Sequence, residues 1–430
     1  MNICVIGLGK LGLPLAALLA ANGNIVQAFD RDISLRNSIS KGTFKSNEPD
    51  LLTLLETAKD NLRVLDSVSD AIDGVDLIFL IVPTPSLESG EFSNEFVLSA
   101  IREVGASVAT DHKVVIDVVS TVMPGSCDGV IREELERASR RTLGPKLGLC
   151  YNPEFIALGS VIKDMSFPDM HLIGESSTWA GDVVEDALKS IVRKSVPVMR
   201  MKLSEAELVK ISVNNYVTMK ISFANMLLQC ADRLGGIDID VVTNAIGLDS
   251  RIGHKYLKAA APYGGPCFPR DTRALSALYL ELGLDQSLSH VTETLNSQHN
   301  NYICQQLIQN IKPSDVVGIA GISYKTGTPV TEESPGLKIY LQLRKQGVKV
   351  EFWDDEGATF IYESELKTGF KSHQDLVAKS DFIVIARPLK DPENFGKVVM
   401  GSGKPFLDLW RQLGRAGAKD FDNDFTISSS

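Results

Sequence analysis

Residues Tyr263 to Leu275 read YGGPCFPRDTRAL, which sets a single cysteine, Cys267, in a glycine- and proline-rich loop four residues ahead of an acid, Asp271. The stretch that follows, RDTRALSALYLELG, repeats Leu275, Leu278, Tyr279 and Leu282 at helical spacing, with Pro269 suited to the first turn and Gly283 to the stop. The sulfur is therefore expected just ahead of a helix. There the unpaired amides of the first turn, together with Arg270, would favour the thiolate, the nucleophilic form. Gly264 and Gly265 would keep side chains out of the way of a substrate approaching the sulfur, and Asp271 can face the same space. The competing reading is an inert, buried cysteine.

A second group of residues would hold a cofactor. The turn GLGKLG carries Gly7, Gly9 and Gly12 around Lys10 and Leu11, follows the strand-like NICVIG and opens directly into the helical KLGLPLAALLAANG. Glycines there permit a tight turn and a close approach to a pyrophosphate on the helix N-terminus. Asp30 ends the next strand-like run at the spacing from which a carboxylate binds a ribose diol and repels a 2′-phosphate, favouring NAD over NADP. Arg31 beside it weakens that preference. Two more loops, VPTPS at Val82 to Ser86 and STVMPG at Ser120 to Gly125, follow strand-like runs and offer Thr84 and Thr121, as ligand contacts or as ordinary turn residues. Glu154 in NPEF is a candidate base or a capping acid. Lys210 and Asn214, four apart in a helical stretch, share one face and either stabilise an oxyanion or form a solvated surface.

The elements that must position these groups follow from the hydrophobic pattern. The runs NICVIG, IVQAFD, DLIFLIVP, KVVIDVVS, LGLCYNP, HLIGE and SVPVMRM alternate with helical segments, which implies a parallel, doubly wound sheet. From Ser204 one uninterrupted helix of roughly thirty residues, about 45 Å long, is expected, with Ser204 and Glu207 as a capping box and Gly235 and Gly236 as the stop. Such a helix reads as a spine joining two domains, and as a surface for a homodimer. Near Asp315 a second α/β pattern begins with DVVGIAGISYK, a helix from Ser334 and VKVEFWDD, echoing the opening order of strand, glycine turn, helix, strand and acid. DFIVIARP and KPFLDLW supply further strands, and the closing NDFTISSS is expected to fray. The expected architecture is α/β, with two Rossmann-like doubly wound domains at 1–203 and 301–430, joined by the long helix and an all-α dimerisation region at 204–300 that carries the cysteine loop.

Composition narrows the function classes. A net charge of −10 over 430 residues, with no dense basic run, argues against nucleic acid as a partner. The opening lacks a signal-peptide pattern and no apolar run reaches membrane-spanning length, so a cytoplasmic protein with no membrane partner is expected. The six cysteines show no CxxC spacing, which points away from a disulfide framework or a metal site and towards core packing for most of them.

A nicotinamide site combined with a loop cysteine suggests an oxidation that passes the aldehyde, through a thiolate adduct and a thioester. In this order GLGKLGLP, the VPTP loop, STVMPG, NPEF, AELVKISVNN, SRIG, YGGPCFPRD and ISYKTGT followed by ESPGLK resemble the UDP-glucose/GDP-mannose dehydrogenase family over nearly the whole chain. The resemblance implies oxidation of a nucleotide sugar at C6 to the uronate with two NAD per turnover. It implies Cys267 as nucleophile, Lys210 and Asn214 as oxyanion holders, Asp271 and Thr121 positioning Lys210 and water, and Glu154 as the base of thioester hydrolysis. NAD contacts would come from Gly7, Gly9, Lys10, Leu11, Gly12, Asp30, Thr84, Thr121 and Arg270. Contacts to the nucleotide sugar would come from Glu154, Phe155, Ile156, Lys210, Asn214, Tyr256, Gly264 and Lys325, and from Arg251 reaching across a dimer interface built on the spine helix. The chain departs from the family at Pro83, at Leu158 where a second glutamate is common, at Ala259 to Pro262, at Arg270 in place of lysine and at Glu332 in place of arginine. CFPRDT and the PEF loop are most like the UDP-glucose branch; the alternative is the same chemistry on a UDP-N-acetylhexosamine or GDP-mannose. Of other classes, a two-electron hydroxyacid dehydrogenase shares the glycine turn and long helix but has no need of Cys267. A non-catalytic nucleotide-binding protein would be expected to have lost the nucleophile loop.

Overall fold

The computed structural model describes residues 1–285, 287–413 and 427–428, and the chain falls into two compact units, Met1–Ser212 and Val213–Ser430. The division lies inside one continuous helix, the spine helix Leu203–Leu234, whose 32 residues span about 48 Å. It stops at Gly235 and Gly236, both in left-handed backbone conformation.

In the first unit β1 (Asn2–Ile6), β2 (Ile25–Phe29), β3 (Leu62–Val64), β4 (Leu77–Leu80), β5 (Val114–Val118), β6 (Leu147–Tyr151), β7 (His171–Glu175) and β8 (Val198–Met201) form one sheet in the order β3-β2-β1-β4-β5-β6-β7-β8. Every residue of β4, β5 and β6 is buried, because helices cover both faces, and this is why those runs are apolar without alternation. Phe79, Val115 and Cys150 point into the cluster that contains Leu15 and Leu18 of the glycine-loop helix (Gly12–Ala21). Ile78, Ile116 and Leu149 point into the opposite cluster with Val97 and Ile101.

All seven strand-like runs are strands; β3, only three residues long, gave no comparable signal. The sheet is not wholly parallel as expected, since β7 runs antiparallel to β6. The connection between them, from Asn152 to Met170, carries a single short helix, Val161–Ser166. The expected capping box is also corrected. The spine helix begins at Leu203, so Ser204 lies inside it, and Glu205 reaches back to the Lys202 amide at 2.9 Å. Glu207 is fully buried and turns to another element, accepting from the Gly125 amide at 2.6 Å and the Cys127 amide at 2.7 Å. It thus caps the turn of STVMPG where that loop enters its helix.

In the second unit β9 (Val316–Ala320), β10 (Lys349–Trp353), β13 (Phe382–Ile385), β14 (Phe406–Asp408) and β15 (Ile427–Ser428) are ordered β10-β9-β13-β14-β15, parallel except for β15. A separate hairpin pairs β11 (Thr359–Tyr362) with β12 (Glu365–Thr368). The hairpin is not legible in the sequence because its turn residues, Glu363 and Ser364, take positive φ without the usual Asn or Gly. Of the closing NDFTISSS, Ile427 and Ser428 pair with β14, contrary to fraying, and the other residues of that segment lie outside those described.

The echo between the two α/β patterns is structural. Gly7 and Gly321 follow β1 and β9 with φ of 95° and 91°. Their amides bond the last residues of β2 and β10 at 2.8 and 2.9 Å, and the next amides, of Leu8 and Ile322, each donate to the acid that follows, Asp30 or Asp354, at 2.7 Å. A Cβ at Gly12 would overlap the Gly7 carbonyl, and a Cβ at Gly336 the Gly321 carbonyl. The same turn has been built twice.

The helices Phe268–Glu281 (the cysteine helix) and Leu288–Asn310 complete the second unit's α region. The run Ala259 to Tyr263 ahead of the cysteine loop is buried and its main chain is held by side-chain amides and an imidazole. Asn225 accepts from Ala260, Asn296 both accepts from and donates to Tyr263, and His299 Nε2 lies 2.7 Å from the Ala260 carbonyl. Burial pulls the His299 pKa from 6.5 to about 4, so the folded state holds it neutral. Below pH 6.5 the unfolded chain binds the proton first, and stability present at neutral pH is lost as pH falls towards 4, by ~3 kcal/mol. His299→Gln, which keeps a donor and an acceptor but does not titrate, is expected to flatten this acid limb when melting temperature is followed across that window; an unchanged slope would remove His299 as its source.

Candidate active site

In the first unit the loops after β1, β4 and β5 lie at the carboxyl edge beside the point where strand order reverses, between β1 and β4. Gly7 and Gly12 have no room for a side chain, whereas a Cβ at Gly9 would meet nothing within 4 Å. Leu11, at the N-cap of the glycine-loop helix, makes no side-chain cap; the Leu13 amide turns to the Gly9 carbonyl at 3.3 Å, which leaves the other first-turn amides for an anion. Lys10 is exposed beside them. Asp30 uses Oδ2 on the Leu8 amide and Oδ1 on the Asp32 amide at 2.8 Å, and each oxygen keeps acceptor capacity for a ribose hydroxyl. These residues fit an NAD pyrophosphate and ribose. Thr84 is buried and Thr121 half-buried. Their loops are tied by Ser120, which accepts from the Val82 amide at 2.9 Å and donates to its carbonyl at 2.7 Å. Ser120 stood in the STVMPG motif but was not singled out.

The NPEF loop follows β6 on the same edge. Lys210, 7% exposed, donates from Nζ to the Glu154 main-chain carbonyl at 2.6 Å and stands 4.5 Å over the Phe155 ring. Burial lifts the Glu154 carboxyl to about 7 while the Lys210 charge pulls it down. A carboxyl in that range takes and returns a proton near neutral pH. Ile156 and Leu158 pack against the cluster under the glycine-loop helix, so where the family commonly has glutamate this chain has an apolar anchor. Glu48, with no signal in the sequence, pins the far end of the loop through the Gly159 amide at 3.0 Å and the Ile162 amide at 3.3 Å.

In the second unit Cys267 is exposed and is the N-cap of the cysteine helix, with Pro269 in the first turn, as expected. Of the residues at helical spacing, Leu275 and Leu278 are half-buried and Tyr279 and Leu282 exposed, while the helix buries Pro269, Asp271, Thr272 and Ala274. Its packing against the spine helix is polar. Asn214 donates to Asp271 Oδ2 at 2.6 Å, Asn215 to the Asp271 carbonyl at 2.9 Å, and Thr218 lies 3.2 Å from Thr272. Arg270 Nε is 3.5 Å from Asp271 Oδ1. The glycines of YGG have a different cause from the one expected. A Cβ at Gly264 would overlap the Glu333 carbonyl and one at Gly265 the Tyr324 ring, so they admit neighbouring loops rather than clear a path to the sulfur. The Tyr324 hydroxyl is pushed up in pKa by burial and by the charge of Cys267.

Lys325 follows Tyr324 with its ammonium 5.9 Å from that ring. Tyr256 takes a φ of 63° and sets its ring edge-on to Phe268 at 6.2 Å. Arg251 is paired with Asp249 at 2.6 Å and is not brought to the cysteine loop within its unit. Glu332 precedes Glu333, which bonds Arg273 at 3.0 Å and Lys338 at 2.6 Å. The helix Leu288–Asn310 adds Glu293, accepting from the Tyr263 hydroxyl at 2.7 Å. Glu293 and Asn296 had no motif to mark them. Among the described residues no group of three His, Cys, Asp or Glu is arranged to hold a metal, and no helix is long and apolar enough to cross a membrane.

Profiles of the UDP-glucose/GDP-mannose dehydrogenase family match this chain with its NAD binding domain at residues 1–193, its central domain at 204–298 and its UDP binding domain at 318–415. A UDP-glucose 6-dehydrogenase of Pseudomonas aeruginosa is 32% identical over 362 residues, 82% of this chain and 79% of its own. The structure of a UDP-glucose dehydrogenase from the hyperthermophilic archaeon Pyrobaculum islandicum superposes with a TM-score of 0.86 at 30% identity, covering 95% of this chain and 94% of that one. That of GDP-mannose dehydrogenase from Pseudomonas aeruginosa does so with 0.56 at 27% identity, covering 95% and 96%. The chain belongs to the UDP-glucose/GDP-mannose dehydrogenase family.

Proposed function

We propose that this protein oxidises the C6 hydroxymethyl of UDP-glucose to the carboxylate, in two oxidations and one hydrolysis, with Cys267 as the covalent nucleophile. The observation that carries the reading is the exposed Cys267 at the head of a helix whose buried side is held by polar contacts, a feature that a two-electron dehydrogenase has no use for. NAD, bound at the Gly7 to Gly12 turn, supplies the hydride acceptor for both oxidations. In the first, the alcohol loses a hydride and a proton to give an aldehyde. The Cys267 thiolate adds to that carbonyl, and Lys210 and Asn214 stabilise the oxyanion. Loss of a second hydride leaves a thioester on Cys267. Glu154 takes a proton from water, the hydroxide attacks the thioester, and the thiolate departs from the acid.

Asp271 and Thr121 serve as positioning groups in this scheme, and Phe155, Ile156, Tyr256, Gly264 and Lys325 as substrate contacts, as the resemblance implies. The spine helix exposes Tyr216, Phe223 and Met226, which supports a homodimer on that surface with Arg251 contributing to the partner's substrate. The chain is read as three regions, 1–203, 204–300 and 301–430, for NAD, dimer and nucleotide sugar, working in the cytoplasm.

A panel of UDP-glucose, UDP-N-acetylhexosamines and GDP-mannose with NAD tests the substrate, with NADH formed per sugar consumed as the readout. Two NADH per UDP-glucose is expected; one would sink the four-electron scheme. Cys267→Ser is expected to abolish uronate formation, and full retention would remove it as nucleophile. Because Glu154 acts ionised and its pKa is about 7, the hydrolytic rate should climb as pH rises through that value. Glu154→Gln should release NADH in a first-turnover burst and then stall by ~100-fold or more, whereas a uniform slowing of both phases would place Glu154 elsewhere in the reaction.

A further inference from the structure

Asp117 is a second carboxyl in the first unit, fully buried one residue before the end of β5, and neither of its oxygens has a hydrogen-bond partner. Its strand neighbours are Phe79 on β4 and Cys150 on β6. Strand alternation sets it on the face of Val115 and Val119, both in the apolar cluster beneath the glycine-loop helix. An unpaired carboxylate at such a place would be strongly disfavoured. A few ångströms further along β6, the buried Asn152 has the complementary defect: its Nδ2 donates to the Leu172 carbonyl at 2.9 Å and its amide to the Val118 carbonyl at 3.0 Å, but its Oδ1 accepts from nothing. Alternation from Cys150 brings Asn152 to the same face as Asp117, diagonally across the ladder. An orphan acceptor and a carboxyl that can carry a hydrogen stand on one face.

We propose that Asp117 is a positioning residue, a neutral carboxylic acid whose O–H is donated, directly or through one water, to Asn152 Oδ1, fixing the residue that launches the Asn152-Pro153-Glu154 turn. Ionised Asp117 would face the Asn152 oxygen as a second acceptor and release that turn. The charge that reaches Asp117 is that of Glu154 on the loop after β6; the other titratable groups in its range are the thiols of Cys150 on β6 and Cys127 on the helix after β5, both held neutral by burial, and Phe79 on β4 is apolar. Burial, with the Glu154 charge added, pushes the Asp117 carboxyl well up, in the direction of the neutral form. The acid is thus set apart from Glu154 in role: one keeps its proton and holds the loop, the other exchanges a proton at the reaction.

This inference rests on Glu154 acting in thioester hydrolysis, and the experiment separates the two. Infrared spectra of the whole protein at neutral pH should contain the carbonyl band of a protonated carboxyl that disappears in Asp117→Asn. Asp117→Val, which removes the donor at similar volume, should keep the first-turnover NADH burst and slow steady turnover by ~10-fold or more. Asp117→Asn, which donates without titrating, should restore neutral-pH turnover and remove the alkaline fall of the wild-type pH profile. Absence of the infrared band, or Asp117→Val turning over like wild type, would overturn the proposal. If wild type forms one NADH per sugar, the hydrolytic reading fails instead, while the infrared result still decides the state of Asp117 even where Asp117→Val does not fold.

Discussion

Both sheets depend on one hydrogen bond: the carboxylate that ends the second strand of each α/β half accepts the amide immediately after a left-handed glycine. At 2.7 Å in each case, Asp30 to Leu8 and Asp354 to Ile322 fix where the chain leaves the sheet. A second constraint works with it, since the next helix can begin only because Gly12 and Gly336 let it lie on the preceding turn. Together they set the helix N-terminus against the carboxyl edge, so that unpaired amides face outward at a defined height. In the first unit this yields an open turn at Gly9. In the second, Arg387 lies on Gly321, donates to Ser323 at 2.8 Å and pairs with Asp354 at 3.1 Å and Asp355 at 2.5 Å. The same backbone device therefore carries an open anion cradle in one half and a fixed guanidinium in the other.

Much of this could be read from the chain because it is local. Alternating apolar runs, Gly7 to Gly12, the length of the spine helix and the repeat of strand, turn, helix and acid are all consequences of short-range geometry. So was the placement of Cys267 at a helix start. What could not be read is what depends on contacts between distant segments. Glu207 looked like the partner of Ser204 three residues away, yet it satisfies amides some eighty residues back in the sequence, because the STVMPG turn has orphan donors that nothing nearer can serve. Gly264 and Gly265 looked like access to a sulfur, but their neighbours Glu333 and Tyr324 come from a later part of the chain. The amides of Asn225 and Asn296 and the imidazole of His299 carry no motif, since an amide on a helix is informative only once the main chain it clamps is known. The antiparallel β7 was missed because a strand's own residues do not specify its direction.

The cysteine helix shows why a polar interface was preferred there to an apolar one. Its buried side offers Asp271 and Thr272 to Asn214, Asn215 and Thr218, so its rotation and register are set by directional bonds. Leucines on that face would pack in several registers at little difference in energy, whereas these contacts are satisfied in one. Tyr279 and Leu280, further along the helix, lie on the outside.

Where a cation is placed decides which acids of this chain stay ionised. Asp240 is half-buried, but Arg411 meets its carboxylate at 2.7 Å and holds its pKa below the usual range against the opposing effect of burial. Glu154 also has a cation beside it: Lys210 donates to the Glu154 carbonyl and stands over the Phe155 ring, but burial outweighs its charge and the carboxyl rises to about 7. The balance between burial and the nearby cation divides the acids by use. A carboxylate bonded fork to fork to arginine is a strut that must keep its charge. A carboxyl that burial lifts to about 7 beside a lysine retains a proton that can be given and taken near neutral pH, which is the condition a hydrolytic base requires.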